Sequence, residues 1–279
     1  MQRALVKLLR FIPLPVAYGF MALSIPVYMI ADRRGYRASY RFFRDRMGRG
    51  PLHAFFSVYA NEYRMGQVVI DRFALYAGKQ FDLRGDDMPV FYRLAAGEPG
   101  FVQVSSHVGN YELAGYSLYS STKRMYALVF SGETATVMQQ RAAMFEKSNI
   151  EMIPIADDMS HLFTLNNALC DGGIVSMPGD RIFGSQKCFP CTFFGAQADF
   201  PAGPFMLAAQ RSVAMLAVFV MKEGVRRYRV IIKQIGKSLD EALPSRARAA
   251  SMAAEFAGEL EAVVRRYPTQ WYNFYDFWK

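Results

Sequence analysis

After residue 100 the chain alternates short apolar runs with stretches that suit helices. The runs are FVQVSS at 101–106, YALVF at 126–130, IEMIPI at 150–155, GIVSM at 173–177, AMLAVFVM at 214–221 and YRVIIKQI at 228–235. Each has the length of a strand, and several are apolar enough to be covered on both faces. Strands alternating with helical stretches predict an α/β domain, a mixed and largely buried central sheet flanked by helices. Within 245–267, Met252, Phe256, Leu260, Val263 and Tyr267 recur at helical spacing, which predicts an amphipathic helix packed on the sheet and stopped by Pro268. An aromatic and aliphatic stripe, Phe56, Tyr59, Tyr63, Val69, Phe73 and Tyr76, predicts another helix over 53–78, ending at Gly78 and facing core or membrane.

The N-terminal pattern is different. Positions 11–31 are 21 residues without a charge, about the length of a bilayer-spanning helix. Pro13, Pro15 and Pro26 fall inside this stretch, so a kinked or re-entrant anchor competes with a straight spanning one. Directly after it, Arg33, Arg34, Arg37, Arg41, Arg44, Arg46 and Arg49 are opposed only by Asp32 and Asp45, a cluster suited to anionic lipid headgroups. For a spanning segment this flank favours the cytoplasmic side, although Arg3, Lys7 and Arg10 weaken the asymmetry. The organisation read from these patterns is an N-terminal membrane-associated helical segment over 1–50, then an α/β domain over 51–279 with a helical lead-in at 51–79.

Composition narrows the partners. With 52% hydrophobic and 20% charged residues, the 279-residue chain lies far from the disordered class. The net charge of +9 calls for an anionic partner: nucleic acid, anionic lipid or an acidic carrier protein. Nucleic acid is set aside, because the arginine run adjoins a membrane-length apolar stretch and no helix-turn-helix, zinc-finger or RNA-binding pattern is present. Three cysteines, Cys170, Cys188 and Cys191, are too few for a disulfide scaffold and point to a reducing environment. The CFPC element at 188–191 lacks the second ligand pair of a zinc site, and it runs on into apolar Thr192-Phe193-Phe194 where a thioredoxin-like site would open a helix. Three histidines leave no histidine-based metal cluster to expect.

The candidate chemistry lies at strand ends. His107 closes the first strand of the α/β region, and Glu112 follows after a Gly-Asn turn into a helix. At the carboxyl edge of such a sheet, side chains face ligands. A carboxylate on one imidazole nitrogen fixes the tautomer and leaves the other free to accept a proton, the arrangement of a general base. The alternative is a capping histidine beside a solvated first-turn acid. MPGDR likewise places Gly179, Asp180 and Arg181 just past a buried strand, where Arg181 either clamps a phosphate or carboxylate or pairs with Asp180 in a surface turn.

SSHVGNYE, MPGDR, FFGAQADFPAGPFMLA and the ending YPTQWYNFYDFW occur in order over residues 105–278. Together they resemble the lysophospholipid acyltransferase superfamily, and within it the bacterial lipid A late acyltransferases, the lauroyl and myristoyl transferases. The resemblance implies an enzyme of the bacterial inner membrane with its site on the cytoplasmic side. It would move a fatty acyl group from an acyl carrier protein or CoA thioester to a hydroxyl or amine of a membrane lipid or glycolipid acceptor, with no cofactor and no metal. By the same resemblance His107 is the base and Glu112 its orienting carboxylate, while Arg181, Asp180, Gly179 and Asn110 bind substrate. The pattern departs from the FPEGTRS form of many members at Pro178 and Asp180, which fits a glycerol-phosphate acceptor poorly and the lipid A-like branch better. Two other readings of the same residues are an acyl thioesterase that uses water and a noncatalytic lipid-binding membrane protein.

Overall fold

A computed structural model of the protein describes residues 2–113, 118, 120–129, 148–156, 158, 160–182, 187–240 and 242–278. All six apolar runs form strands of one sheet; residue 130, at the end of YALVF, lies outside the described residues. In chain order the strands are β1 (Asp82–Arg84), β2 (Phe101–Ser105), β3 (Met125–Val129), β4 (Ile150–Pro154), β5 (Ile174–Pro178), β6 (Cys188–Phe193), β7 (Ala196–Pro201), β8 (Met215–Lys222) and β9 (Arg227–Ile235). The main sheet is seven-stranded in the order β1-β9-β8-β2-β5-β3-β4, and β6 and β7 form a separate antiparallel hairpin. All neighbours in the main sheet are parallel except β8 and β9. The mixed, helix-flanked α/β architecture is therefore the one the apolar runs predict. Strand β1 is short and polar, and no periodicity announces it.

Four helices precede the sheet: α1 (Gln2–Phe11), α2 (Leu14–Ala31), α3 (Arg33–Arg41) and α4 (Pro51–Tyr76). Among the described residues, four more α-helices are interleaved with the strands or follow them: α5 (Met88–Ala96), α6 (Ser160–Cys170), α7 (Gly203–Arg211) and α8 (Ser245–Arg266). Strand β8 shows why the run at 214–221 does not alternate. Met215, Ala217, Phe219 and Met221 enter a core shared with α7 and α8, whereas Leu216, Val218 and Val220 enter the core on the other face, with Phe91 of α5. A strand covered on both faces has no polar side to present.

At the N-terminus the prolines act differently from simple breakers. Pro13 and Pro15 open α2, where a missing amide hydrogen costs nothing, and Pro26 sits inside it. Pro26 cannot donate to the carbonyl of Ala22, and the Tyr59 hydroxyl of α4 donates to that oxygen at 3.2 Å. Helix α2 thus lies along α4, with Leu14, Tyr18, Ile25 and Met29 buried. Gly66 of α4 makes the approach possible, since a Cβ there would sit 2.2 Å from Met21 Sδ. The opposite stripe, Val16, Phe20, Leu23, Val27 and Ile30, is 47–77% exposed.

Helix α4 itself buries more polar surface than its aromatic stripe foretells. Asn61, Glu62, Gln67 and Asp71 are buried on it, while Phe55 and Phe56 are exposed near its start. Buried polar side chains on one helix imply polar partners. Asn61 Nδ2 donates to the main-chain carbonyls of Thr269 and Trp271, Gln67 accepts from Arg64, and Asp71 pairs with Lys222.

Candidate active site

The central fact of the site is a register. Strands β2 and β5 are parallel neighbours, with Ser105 opposite Pro178. Two residues beyond each lie His107 and Asp180, so the sheet sets them side by side at its carboxyl edge. Asp180 Oδ1 is 2.9 Å from His107 Nδ1, and Asp180 Oδ2 accepts the His107 main-chain N–H at 2.7 Å. The Asp180 side chain is 1% exposed and the His107 ring 26% exposed, so the pair is buried on one side and open on the other. Burial alone would push the Asp180 carboxyl up, but the charge and hydrogen bonds of His107, with Arg181 adjacent, outweigh it and hold the group below the usual carboxylate range.

Gly179 permits this arrangement by its size. A Cβ at that position would lie 2.3 Å from Val104 Cγ2 and 2.9 Å from Phe256, while the Gly179 N–H bonds the Ser105 carbonyl at 2.8 Å. Expected at the substrate, Gly179 and Asp180 are packed behind His107, and both Asp180 oxygens are committed to that residue.

The turn from His107 to Glu112 is held equally closely. Gly109 has φ +61°, and a Cβ there would come within 2.1 Å of the Val220 carbonyl, so only glycine fits. Asn110 is buried: its Oδ1 accepts the Leu113 N–H at 3.3 Å as a helix cap, and its Nδ2 donates to the Tyr228 hydroxyl at 3.4 Å. Both ends of this amide, too, are engaged within the protein. Glu112 follows in the first helical turn, 4% exposed, and forms an ion pair with Arg72 of α4, Nε to Oε2 at 3.1 Å. The carboxylate on His107 Nδ1 is therefore Asp180's, and Glu112 is a second, buried carboxylate of the same turn.

The C-terminal segment straps the site. Tyr272 donates its N–H to the His107 carbonyl at 2.9 Å, and Gly109 donates to the Gln270 carbonyl at 2.8 Å. Arg181 Nη2 donates to the Tyr272 carbonyl at 2.6 Å, and its guanidinium lies 4.7 Å from the centre of the Tyr275 ring. Arg181 remains partly exposed, and its Nε is buried without a hydrogen-bond partner. It is tied to the strap residue whose own N–H meets the His107 carbonyl.

Four contributors escaped the sequence reading: Arg72 and Asp71 of α4, Lys222 at the end of β8, and the strap residue Gln270. The signal available for the first two was a charged pair inside the apolar run VVIDRFALY. For Lys222 it was a charge directly after a run buried on both faces. The CFPC cysteines lie on β6, away from these contacts, and burial pushes both thiols up, Cys191 to about 11. Among the described residues no group of three or more His, Cys, Asp and Glu side chains is placed to hold a metal ion.

Comparison with known proteins adds to this geometry. The sequence profile of the bacterial lipid A biosynthesis acyltransferases matches residues 77–279. No curated protein sequence matches the chain. Among solved structures, the 1-acyl-sn-glycerophosphate acyltransferase PlsC from Thermotoga maritima superposes with a TM-score of 0.40 at 12% identity, covering 90% of this chain and 98% of that one.

Proposed function

The chain belongs to the bacterial lipid A biosynthesis acyltransferase family, and from that premise we propose that it transfers a fatty acyl group from an acyl carrier protein or CoA thioester to a hydroxyl or amine of a membrane lipid, with His107 as general base. The observation that carries the reading is the doubly bonded His107–Asp180 pair at the open edge of the sheet. With Asp180 ionised, Nδ1 carries the proton and Nε2 keeps its lone pair. In the proposed step Nε2 takes the proton of the acceptor hydroxyl or amine as that group attacks the thioester carbonyl carbon. The tetrahedral intermediate collapses with cleavage of the C–S bond, and the leaving thiolate recovers the proton from the imidazolium. General-base assistance of this kind contributes roughly 10² to 10⁴ in rate. Glu112, in the same turn, is held in place by Arg72. Arg181 is assigned to an anionic group of donor or acceptor.

The same reading puts the enzyme on a membrane surface. Helix α2 is long and apolar enough to cross a bilayer by length and composition. One of its faces, however, is packed on α4, whose buried Asn61, Glu62 and Asp71 do not belong in hydrocarbon. The exposed stripe of α2, with Leu52, Phe55 and Phe56 of α4, suits a helix lying in the interface. Arg33, Arg34, Arg37 and Arg41 are exposed along α3 next to it, in position for anionic headgroups. Attraction of such a basic flank to an anionic cytoplasmic leaflet favours the cytoplasmic face of the bacterial inner membrane. The net charge of +9 also suits docking of an acidic carrier protein.

The test is thiol release from acyl carrier protein and CoA thioesters by detergent-solubilised protein, with and without a total bacterial lipid extract, comparing wild type with His107→Ala. Lipid-dependent release that disappears in the variant, with an acylated lipid found by mass spectrometry, is the expected result. Lipid-independent release would replace the proposal with a thioesterase, and no release by folded protein would replace it with a lipid-binding role.

A further inference from the structure

Next to the turn that follows His107 lies a buried polar cluster that the proposed reaction does not use. Lys222 ends β8, and its side chain is 1% exposed. Its Nζ donates to Asp71 of α4 at 2.5 Å, and lies 3.1 Å from the Tyr18 hydroxyl, 3.4 Å from the Tyr228 hydroxyl and 3.2 Å from the Val225 carbonyl. The hydroxyls of Tyr18 and Tyr228 both donate to the Asp71 carboxylate. One ammonium, one carboxylate and two phenols from α2, α4, β8 and β9 thus satisfy one another away from water.

A buried ion pair is not in itself a source of stability, because well-packed apolar side chains of similar volume generally do as well. What it supplies is a fixed geometry. Here the geometry is passed to the catalytic turn along two routes. In the first, the Tyr228 hydroxyl accepts from Asn110 Nδ2 at 3.4 Å, while the Asn110 N–H bonds the Val220 carbonyl at 2.7 Å. In the second, the Gln270 side chain clamps the Lys222 main chain, accepting its N–H at 2.8 Å and donating to its carbonyl at 2.9 Å. The Gln270 carbonyl then accepts the Gly109 N–H at 2.8 Å. Gly109 and Asn110 are two of the four residues between His107 and Glu112, so both routes end on the turn that carries those side chains.

We propose that Lys222, Asp71 and Tyr228 are positioning residues for the His107–Glu112 turn, acting through Asn110 and Gln270, and that Tyr18 makes the apolar helix α2 part of the same device. This rests on the reading of His107 as the base. A turn held only by packing would tolerate loss of the phenol. A turn whose angle is set by the polar cluster loses its near-attack geometry, and a misplacement on the ångström scale costs about 10- to 100-fold in rate.

The experiment measures steady-state acyl transfer with the full-length protein in detergent, from an acyl carrier protein thioester to a bacterial lipid extract, for wild type, Tyr228→Phe, Tyr18→Phe, Lys222→Met with Asp71→Asn, and His107→Ala. Melting temperature and far-UV circular dichroism establish that each variant is folded at the assay temperature. Tyr228→Phe is expected to lower kcat about 10- to 100-fold with KM for both substrates within about twofold, and to displace the pH profile of kcat, while the protein stays folded. Tyr18→Phe is expected to change kcat in the same direction by a smaller factor. Should the paired charge variant fail to fold, the two phenylalanine variants carry the test alone. Wild-type kcat and pH profile in folded Tyr228→Phe, with His107→Ala inactive, would overturn the positioning role and leave the base assignment standing. Full activity in His107→Ala would overturn both.

Discussion

Asp180 bonds His107 twice, Oδ1 to the ring Nδ1 at 2.9 Å and Oδ2 to the main-chain N–H at 2.7 Å. The second bond fixes the carboxylate relative to the backbone, and the first then fixes the ring and its tautomer. Asp180→Asn has one acceptor oxygen in place of two, so either the backbone or the ring loses its acceptor, and an amide N–H facing Nδ1 favours the wrong tautomer. Acyl transfer is expected to fall by roughly 10² to 10⁴ while the fold is kept. Steady-state kinetics beside circular dichroism checks this, and near-wild-type turnover would remove Asp180 from the mechanism.

Gly179 precedes that carboxylate and has no room for a side chain, its Cβ position lying 2.3 Å from Val104 Cγ2. Gly179→Ala is expected to cost about 1–3 kcal/mol, the usual range for overpacking. Because the strain must be relieved by moving the chain beside Asp180, activity should fall further than stability does. Denaturant titration and turnover measured on one preparation separate the two effects.

Arg72 and Glu112 form an ion pair in which the Glu112 side chain is 4% exposed. Arg72→Met leaves that carboxylate buried without its cation and is expected to destabilise the protein by about 3–5 kcal/mol. Combining it with Glu112→Gln removes the charge and should restore most of the loss. A double variant no more stable than Arg72→Met would show that Arg72 acts by packing alone.

Glu62 of α4 is buried, with Oε1 lacking a hydrogen-bond partner. Burial first, and then the Asp32 carboxylate, push its carboxyl from the ordinary 4.5 up to about 7. Between those values the native chain holds a proton that the unfolded chain has released. Stability from this group is therefore full below about pH 4.5 and is lost as pH rises through about 7. Glu62→Gln is neutral throughout, so its melting temperature should match wild type near or below about pH 4.5 and exceed it at about pH 8 by the equivalent of about 3 kcal/mol. A difference that does not change with pH would assign Glu62 a purely steric role.

On the face proposed to meet the membrane, Arg34 and Arg37 are exposed on α3, next to the exposed stripe of α2. Replacing both by Gln is expected to weaken binding to phosphatidylserine-containing vesicles by about 1 kcal/mol each and to leave binding to neutral vesicles unchanged. Vesicle flotation at two salt concentrations reads this directly. Equal loss on both vesicle types would point to a folding defect instead.

The chain pattern by itself determined six of the seven strands of the main sheet, the carboxyl-edge positions of His107 and MPGDR, and the C-terminal amphipathic helix. These are local properties: the period of apolar residues and the turn residues that end each run. It determined also that residues 11–31 are helix-length and apolar, though not that Pro26 would be tolerated, because the compensating donor, Tyr59, comes from another helix. Only the tertiary structure decided which carboxylate sits on His107. Asp180 is 73 residues away in the chain and reaches Nδ1 because β2 and β5 are neighbours in the sheet, an order that alternating apolar runs do not encode. The same holds for the aromatic stripe of α4, which overshadowed the buried face bearing Asn61, Glu62 and Asp71. Apolar periodicity reports where water is excluded. Which polar group meets which inside the excluded volume depends on strand order and helix placement, and those are properties of the whole fold.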